Sequence, residues 1–372
     1  MIIGIPKEIK NHEYRAAMTP EGVHACIQNG HDVIVEKDLG SEIGFSDQDY
    51  QNAGAKIIDN VADIFAKSDM IVKVKEPQLS EYTQLKEGQI LFTYLHLAPD
   101  PEQTKGLIKS KCVAISYETI TNNYGQLPLL VPMSEVAGRM SVQAGANALE
   151  KTHGGSGVLL AGVPGVAPAN VIIIGGGVAG ENAARMALGL GANVTILDRS
   201  IKRLEQLDRQ YGPNLKTVYS TQKSLESLVK TADLVIGAVL IPGAKAPKVI
   251  TREMLKDMKK GSVLVDISID QGGCFETSKA TTHQDPIYIV DDIVHYCVAN
   301  MPGAFARTAT MALTNATLPF VLDLADKGWK QALKDDAHFK EGLNVCHGSV
   351  TYKNVSEALD LPYISADDFF VK

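Results

Sequence analysis

The chain has 372 residues, a length for about two domains with their own cores, and its 45 % hydrophobic and 21 % charged residues describe an ordinary globular enzyme. A net charge of −7 gives no reason to expect a nucleic-acid or anionic-membrane partner. Five scattered cysteines without CxxC spacing argue against a disulfide framework or a zinc site, and for reduced thiols in a cytoplasm. The first residues hold too short an apolar run for a signal peptide. The most apolar long stretch, 158–180, is broken by Gly162, Pro164, Gly165 and Pro168, so a soluble protein is expected.

In chain order, residues 2–5 read as a strand. Thr19 caps a helix that begins at Pro20 and ends at Gly30, and 33–36 is the next strand. Ser46 caps a short helix closed by Gly54. A helix over 59–66 leads into the strand 70–74, which stops at Lys75-Glu76-Pro77. A helix near 80–86 precedes the strand 90–95 and His96, and a helix after Pro101 precedes the strand 113–116. Strands alternating with helices predict a parallel, doubly wound sheet, here without a glycine fingerprint.

Residues 134–151 have the spacing of a long helix linking two domains. A Gly- and Pro-rich loop over 154–168 follows, then Val171-Ile-Ile-Ile-Gly175-Gly-Gly177-Val178-Ala179-Gly180, a small-residue helix, Gly191 and a strand ending in Asp198. Gly175 allows a tight turn, Gly177 lets amides approach a pyrophosphate, and Gly180 lets helix and strand pack closely. The helix start offers free N–H groups and a positive dipole end. Asp198 would bond the adenosine ribose hydroxyls and repel a 2′-phosphate, favouring NAD over NADP; its blander reading is a strand-end residue capping a helix. A lone GxGxxG is weak evidence, but here strand, glycines, helix, second strand and acid fall in order.

Strands at 234–239, 263–267 and 287–290 continue this domain, a helix over 304–328 returns to the first one, and only short pieces follow 330. The expected fold is therefore α/β: two doubly wound Rossmann-like domains joined by long helices, with the cleft between them. Residues 1–128 plus 307–372 would form the substrate domain, and 129–306 the NAD-binding domain.

Ligands of open parallel sheets bind beyond the carboxyl ends of the strands. Lys75 and His96 each follow such an end, Arg15 lies in the loop after the first strand, and Asp270 stands three residues past the strand that ends at Ile267. Position alone leaves Arg15 and Lys75 readable as solvated loop charges. His96 reads equally as a satisfied histidine at a domain seam, and Asp270 as a turn former beside Gly272-Gly273.

The opening Gly4-Ile-Pro-Lys-Glu8-Ile-Lys-Asn11-His-Glu13-Tyr-Arg15-Ala-Ala-Met-Thr19-Pro20 resembles the N-terminal signature shared by alanine dehydrogenases and the NAD-binding subunit of pyridine nucleotide transhydrogenase. The segment 175–198 is similar to their second signature. Val131-Pro-Met-Ser134-Glu-Val-Ala-Gly-Arg-Met-Ser141 looks like the dehydrogenase version of that stretch, and the likeness to alanine dehydrogenases runs end to end. A transhydrogenase would normally be coupled to membrane-spanning segments, and no stretch of this sequence reads as one.

The resemblance implies reversible, NAD-dependent oxidative deamination of L-alanine to pyruvate and ammonium by a cytoplasmic homo-oligomer, a hexamer. Its alternatives are a transhydrogenase NAD(H)-binding subunit, or a lysine- or saccharopine-type dehydrogenase. Arg15 and Lys75 would hold the substrate carboxylate. His96 would be the general acid/base at the amino or carbonyl substituent, and Asp270 a second one acting on water. Around NAD the family pattern points to Ser134, Val178, Ala179, Asp198, Arg203 and Ser220. It adds Val239 and Leu240, then Ile267, Ser268, Ile269 and Asp270, and finally Val298, Ala299, Asn300 and Met301. Lys279 stands where an arginine is expected near the adenosine, keeping the charge but not the planar fork. Asp323 and Lys327 stand where some members carry an acid and a histidine that bind a metal. A protonated lysine cannot ligate, so no metal is expected.

Overall fold

A computed structural model describes residues 1–239 and 246–370. In chain order the strands of the first half are β1 (Ile2–Ile5), β2 (Asp32–Glu36), β3 (Lys56–Ile58), β4 (Met70–Val72), β5 (Ile90–Thr93) and β6 (Val113–Ser116). There follow β7 (Asn170–Ile174), β8 (Asn193–Asp198), β9 (Leu215–Tyr219), β10 (Leu234–Gly237) and β11 (Val263–Asp266). The last are β12 (Ile287–Val290), β13 (Ile293–Tyr296), β14 (Leu343–Cys346) and β15 (Ser349–Val350).

Two compact units contain them, Met1–Met133 with Phe305–Lys372, and Ser134–Ala304. The junctions thus fall at 133/134 and 304/305, where the sequence reading set 128/129 and 306/307. Leu129 and Met133 go with the first unit because the Tyr94 hydroxyl donates to the Leu129 carbonyl (2.5 Å) and Arg15 donates to the Met133 sulfur (3.1 Å).

Both units are parallel-dominated α/β sheets. The first runs β15-β14-β6-β5-β4-β1-β2-β3 and the second β12-β13-β11-β10-β7-β8-β9. Strand order therefore reverses at β1/β4 in one and at β7/β10 in the other, the topological switch points beyond which such sheets bind ligands. Each sheet buries both faces, which is why its strands are continuous apolar runs. Ile3, Val33, Val72 and Phe92 pack to one side of the first sheet, and Ile34, Ile71 and Leu91 to the other. In the second sheet Val171, Ile173, Ile196 and Val265 oppose Ile172, Ile174, Leu197 and Leu264.

Some elements depart from the expected ones. The linking helix is Val131–Ala148, three residues earlier at each end than 134–151, because Pro132 sits in the first turn, where its missing N–H costs nothing. The strand expected at 287–290 is β12, antiparallel at the sheet edge. The parallel position beside β11 belongs to β13, reached through a turn at Asp291 and Asp292, both at positive φ (50° and 64°). Beyond 330 the chain is more than short pieces: β14 and β15 add an antiparallel edge to the first sheet, β14 pairing with β6 across an irregularity between Leu343 and Val345.

Candidate active site

In the second unit, β7 runs into Gly175 at φ 101°, and the helix Val178–Gly189 starts from Gly177 with no side chain capping it. A Cβ at Gly175 would lie 2.4 Å from the Ala238 carbonyl oxygen, and one at Gly180 only 1.8 Å from that of Gly175. Gly177 faces open space, with nothing within 4 Å of where its Cβ would be. Asp198, at the end of β8, accepts from the Gly176 amide (2.7 Å) through Oδ2 and from the Ser200 amide (2.7 Å) through Oδ1. The Ser220 amide donates to the Asp198 carbonyl (2.9 Å). Uncapped amides beside open space, glycines that admit no Cβ, and an acid at the next strand end fit the pyrophosphate and ribose of a dinucleotide.

Some of the expected neighbours contact this turn, and others are tied only to one another. Ser134 lies on the helix Val131–Ala148, which approaches so closely that a Cβ at Gly138 would stand 2.2 Å from the Ala179 oxygen. Arg203 bends back over the turn, donating from Nε to the Gly176 carbonyl and from Nη2 to Glu181. The Ser268 hydroxyl donates to the Val239 carbonyl (2.7 Å), while Leu240 lies outside the described residues. Ile267, Ser268, Ile269 and Asp270 form a short 3₁₀ turn, Ile267–Gln271, whose first amide bond goes to buried Asp266: its Oδ1 accepts from Ser268 N (3.0 Å). Asp266 also accepts from Cys274 N (2.8 Å) and from the Ser278 hydroxyl, and burial pushes its pKa up. Asp270 is exposed and accepts from the Asn300 amide (3.2 Å), which sets the Val298–Met301 stretch beside it. Ala299 and Asn300 are half-buried, Val298 and Met301 buried, and the Lys279 side chain is exposed.

In the first unit, Arg15, Lys75 and His96 stand in the segments that follow β1, β4 and β5. Arg15 is only 3 % exposed, so it is no solvated loop charge. Glu13 grips it bidentately, Nε to Oε1 at 2.7 Å and Nη2 to Oε2 at 2.5 Å. Burial works against the Arg15 charge, but the Glu13 carboxylate outweighs it and the pKa is raised. Lys75 is half-buried, its Nζ 3.3 Å from Glu76, whose carboxyl is held at about 2: burial opposes its ionisation, but Lys75 and Lys10 prevail. His96 has a side chain 44 % exposed and a left-handed backbone (φ 47°). Its amide donates to Glu118 Oε1 (2.6 Å), its Nδ1 stands 3.7 Å from the same oxygen, and its ring lies parallel to Tyr94 at 5.9 Å. Burial raises the Tyr94 pKa, with the nearby Arg15 charge pulling it down. Tyr94 thus connects two of the expected residues. The Thr93 hydroxyl donates to the Lys75 carbonyl (3.0 Å) and ties in the third.

A further cluster lies beneath. Glu8 accepts from Val74 N (2.7 Å) and Lys75 N (3.2 Å) through Oε1 and from the Lys73 ammonium (2.9 Å) through Oε2; Lys73 also donates to Glu81 (2.7 Å). The side chains of Lys73, Glu8 and Glu81 are 0, 2 and 4 % exposed. Burial raises the Glu8 pKa; for Lys73 burial acts downward, but the two carboxylates dominate and raise it. Removing one member of a buried ionic group strands the others, at a cost of about 3–5 kcal/mol. Lys73→Met is therefore expected to lower urea-unfolding stability by roughly that amount. Adding Glu8→Gln and Glu81→Gln should recover part of the loss. An unaltered midpoint for the single variant would show that the cluster is energetically idle.

Family models for "Alanine dehydrogenase/PNT, N-terminal domain" and "Alanine dehydrogenase/PNT, C-terminal domain" match residues 4–137 and 141–353. The chain belongs to this family. It is 63 % identical over 366 residues to an alanine dehydrogenase of Halomonas elongata, covering 98 % of this chain and 99 % of the relative. It is 55 % identical over 369 residues to alanine dehydrogenase 2 of Staphylococcus aureus, covering 99 % of each. Among solved structures, an L-alanine dehydrogenase superposes with a TM-score of 0.94 at 47 % identity, over 97 % of this chain and 99 % of that one. A transhydrogenase from Sinorhizobium meliloti shares the fold, with a TM-score of 0.83 at 24 % identity over 94 % of this chain and all of its own. Among the described residues no helix is long and apolar enough to cross a membrane.

Glu8, Glu13, Lys73, Tyr94, Glu118 and Asp266 were not anticipated as site residues. Lys73 carried a signal, since a charge inside the apolar run Met70-Ile-Val-Lys-Val74 must find buried partners. Glu118 follows the end of β6, so the strand-end rule that selects Lys75 and His96 selects it as well. On the late helix, Asp323 pairs with the Lys327 ammonium at 3.1 Å.

Proposed function

We propose that this chain is an L-alanine dehydrogenase converting L-alanine, NAD and water reversibly to pyruvate, ammonium and NADH with release of one proton. The observation that carries the reading is 63 % identity, sustained over almost the whole chain, with an alanine dehydrogenase. The preference for NAD rests on Asp198, an acid where the ribose hydroxyls of a dinucleotide would lie. Bound at the glycine turn, NAD supplies the hydride acceptor.

The chain's own residues do the rest. Arg15 and Lys75 hold the substrate carboxylate, and positioning of this kind lowers a barrier more than any single proton transfer. Arg15 suits the task because Glu13 fixes the plane of its guanidinium. His96 removes the proton from the substrate ammonium before hydride leaves Cα. Its Nδ1 is turned toward Glu118, which leaves Nε2 for the substrate. Water then adds to the iminium carbon, with Asp270 and His96 exchanging protons until ammonia departs. Asp270 is exposed and oriented by the Asn300 amide. The protein would work in the cytoplasm as a homo-oligomer, a hexamer.

The test is a substrate panel with the purified chain, following NADH absorbance with alanine, lysine and other amino acids against NAD and NADP. Turnover confined to alanine and small analogues with NAD is expected. NAD(H) binding without turnover of any amino acid would favour a transhydrogenase-type module, and preference for lysine or saccharopine would move the substrate class.

A further inference from the structure

Arg203 stands five residues past Asp198, in the first turn of the helix Ile201–Tyr211. Its stem passes beside the acid: a Cβ on Gly176 would lie 3.1 Å from Asp198 Oδ2 and 3.4 Å from Arg203 Cγ. A cation there is the usual partner of a ribose 2′-phosphate. Yet the guanidinium is engaged on the glycine turn. Nε donates to the Gly176 carbonyl, Nη2 to Glu181, and Nη1 to Gln206 at 3.2 Å. Glu181 is in turn braced by the Tyr211 hydroxyl at 3.3 Å. Glu181 also lies in the first turn of the helix Val178–Gly189, where an acid beside phosphates is adverse unless neutralised.

We infer that Glu181 is a specificity-determining residue: by holding the Arg203 guanidinium on the glycine turn, it denies a 2′-phosphorylated dinucleotide the cation it would need. NAD selectivity then has two parts, repulsion by Asp198 and sequestration of Arg203 by Glu181. The inference rests on the proposal that a dinucleotide binds at this turn. The plain rival is an ion pair that only fastens one helix to another. Such a pair would affect nucleotides with and without the 2′-phosphate alike.

The experiment is calorimetric titration of the full chain with adenosine 2′,5′-bisphosphate and with 5′-AMP. It compares Asp198→Ala with Asp198→Ala/Glu181→Gln, so that residual repulsion by Asp198 does not mask the effect. Releasing Arg203 should tighten the 2′,5′-bisphosphate relative to 5′-AMP by about tenfold, the low end for one charge-assisted contact to phosphate. Adding Arg203→Gln should abolish the gain, and Glu181→Ala in place of Glu181→Gln should reproduce it. Equal changes for both nucleotides, or a gain that survives loss of Arg203, would overturn the inference. Failure of the unmutated chain to bind NADH would instead overturn the dinucleotide reading.

Discussion

His96→Ala is expected to lower kcat by at least ~100-fold, the lower bound of what a positioned general acid/base contributes. The ring is exposed, so its removal opens no buried cavity, and unfolding stability should change little. The glycine turn proposed to bind the dinucleotide lies on the other compact unit, which makes an unaffected Kd for NADH the natural control. Arg15 and Lys75, proposed to hold the substrate carboxylate, stay in place, so KM for alanine should move far less than kcat, the pattern of an interaction made in the transition state. Added imidazole should restore part of the rate. Turnover near the wild-type value would remove His96 from the mechanism, and an equal loss in kcat and NADH affinity would reassign it to structure.

Gly180→Ala should be nearly as severe at the other site, for a different reason. The added methyl would lie 1.8 Å from the Gly175 carbonyl oxygen, a backbone atom that cannot rotate away. Overpacking of this kind costs about 1–3 kcal/mol, and the turn proposed to receive the phosphates must absorb it. NADH binding is expected to weaken roughly 10- to 100-fold, read by fluorescence titration. Gly189→Ala, in the same helix with nothing within 4 Å of its added carbon, is the matched control and should be neutral or slightly stabilising. Equal affinities for the two variants would mean that the glycine fingerprint is not where the nucleotide sits.

Most of the parallel core strands, β13 excepted, were legible because buried α/β strands are written as apolar runs of four or five residues bounded by turns. Edges were not. β9 reads Leu-Lys-Thr-Val-Tyr, polar enough to pass for a loop, and β14 and β15 pair antiparallel where a helical alternation gives no warning. β12 was legible as a strand but not as an antiparallel one, and the parallel place beside β11 is held by Ile293–Tyr296. For the site, strand ends point to Arg15, Lys75 and His96, but their supports are long-range. Glu8 meets Lys73 across 65 positions, Glu181 meets Arg203 across 22, and Glu118 meets His96 across 22. No local period encodes a pairing of that kind. Only the register of the finished sheet brings the partners together.

One feature of the topology bears on how each site tolerates change. Leaving aside the antiparallel edges, the two sheets have the same strand order, β3-β2-β1-β4-β5-β6 and β9-β8-β7-β10-β11-β13, without a repeat visible in the sequence. At the crossing point of the second, the proposed anion recognition is written in missing side chains, Gly175, Gly177 and Gly180. At that of the first we propose that it is written in present ones, Arg15 and Lys75, each paired with a carboxylate. Mutational sensitivity should therefore be inverted between equivalent corners of one architecture. The glycine corner is expected to fail when a carbon is added, and the corner of Arg15 and Lys75 when a charge is taken away. A single scaffold carries both because it dictates only where the backbone ends, leaving the loops to choose the chemistry.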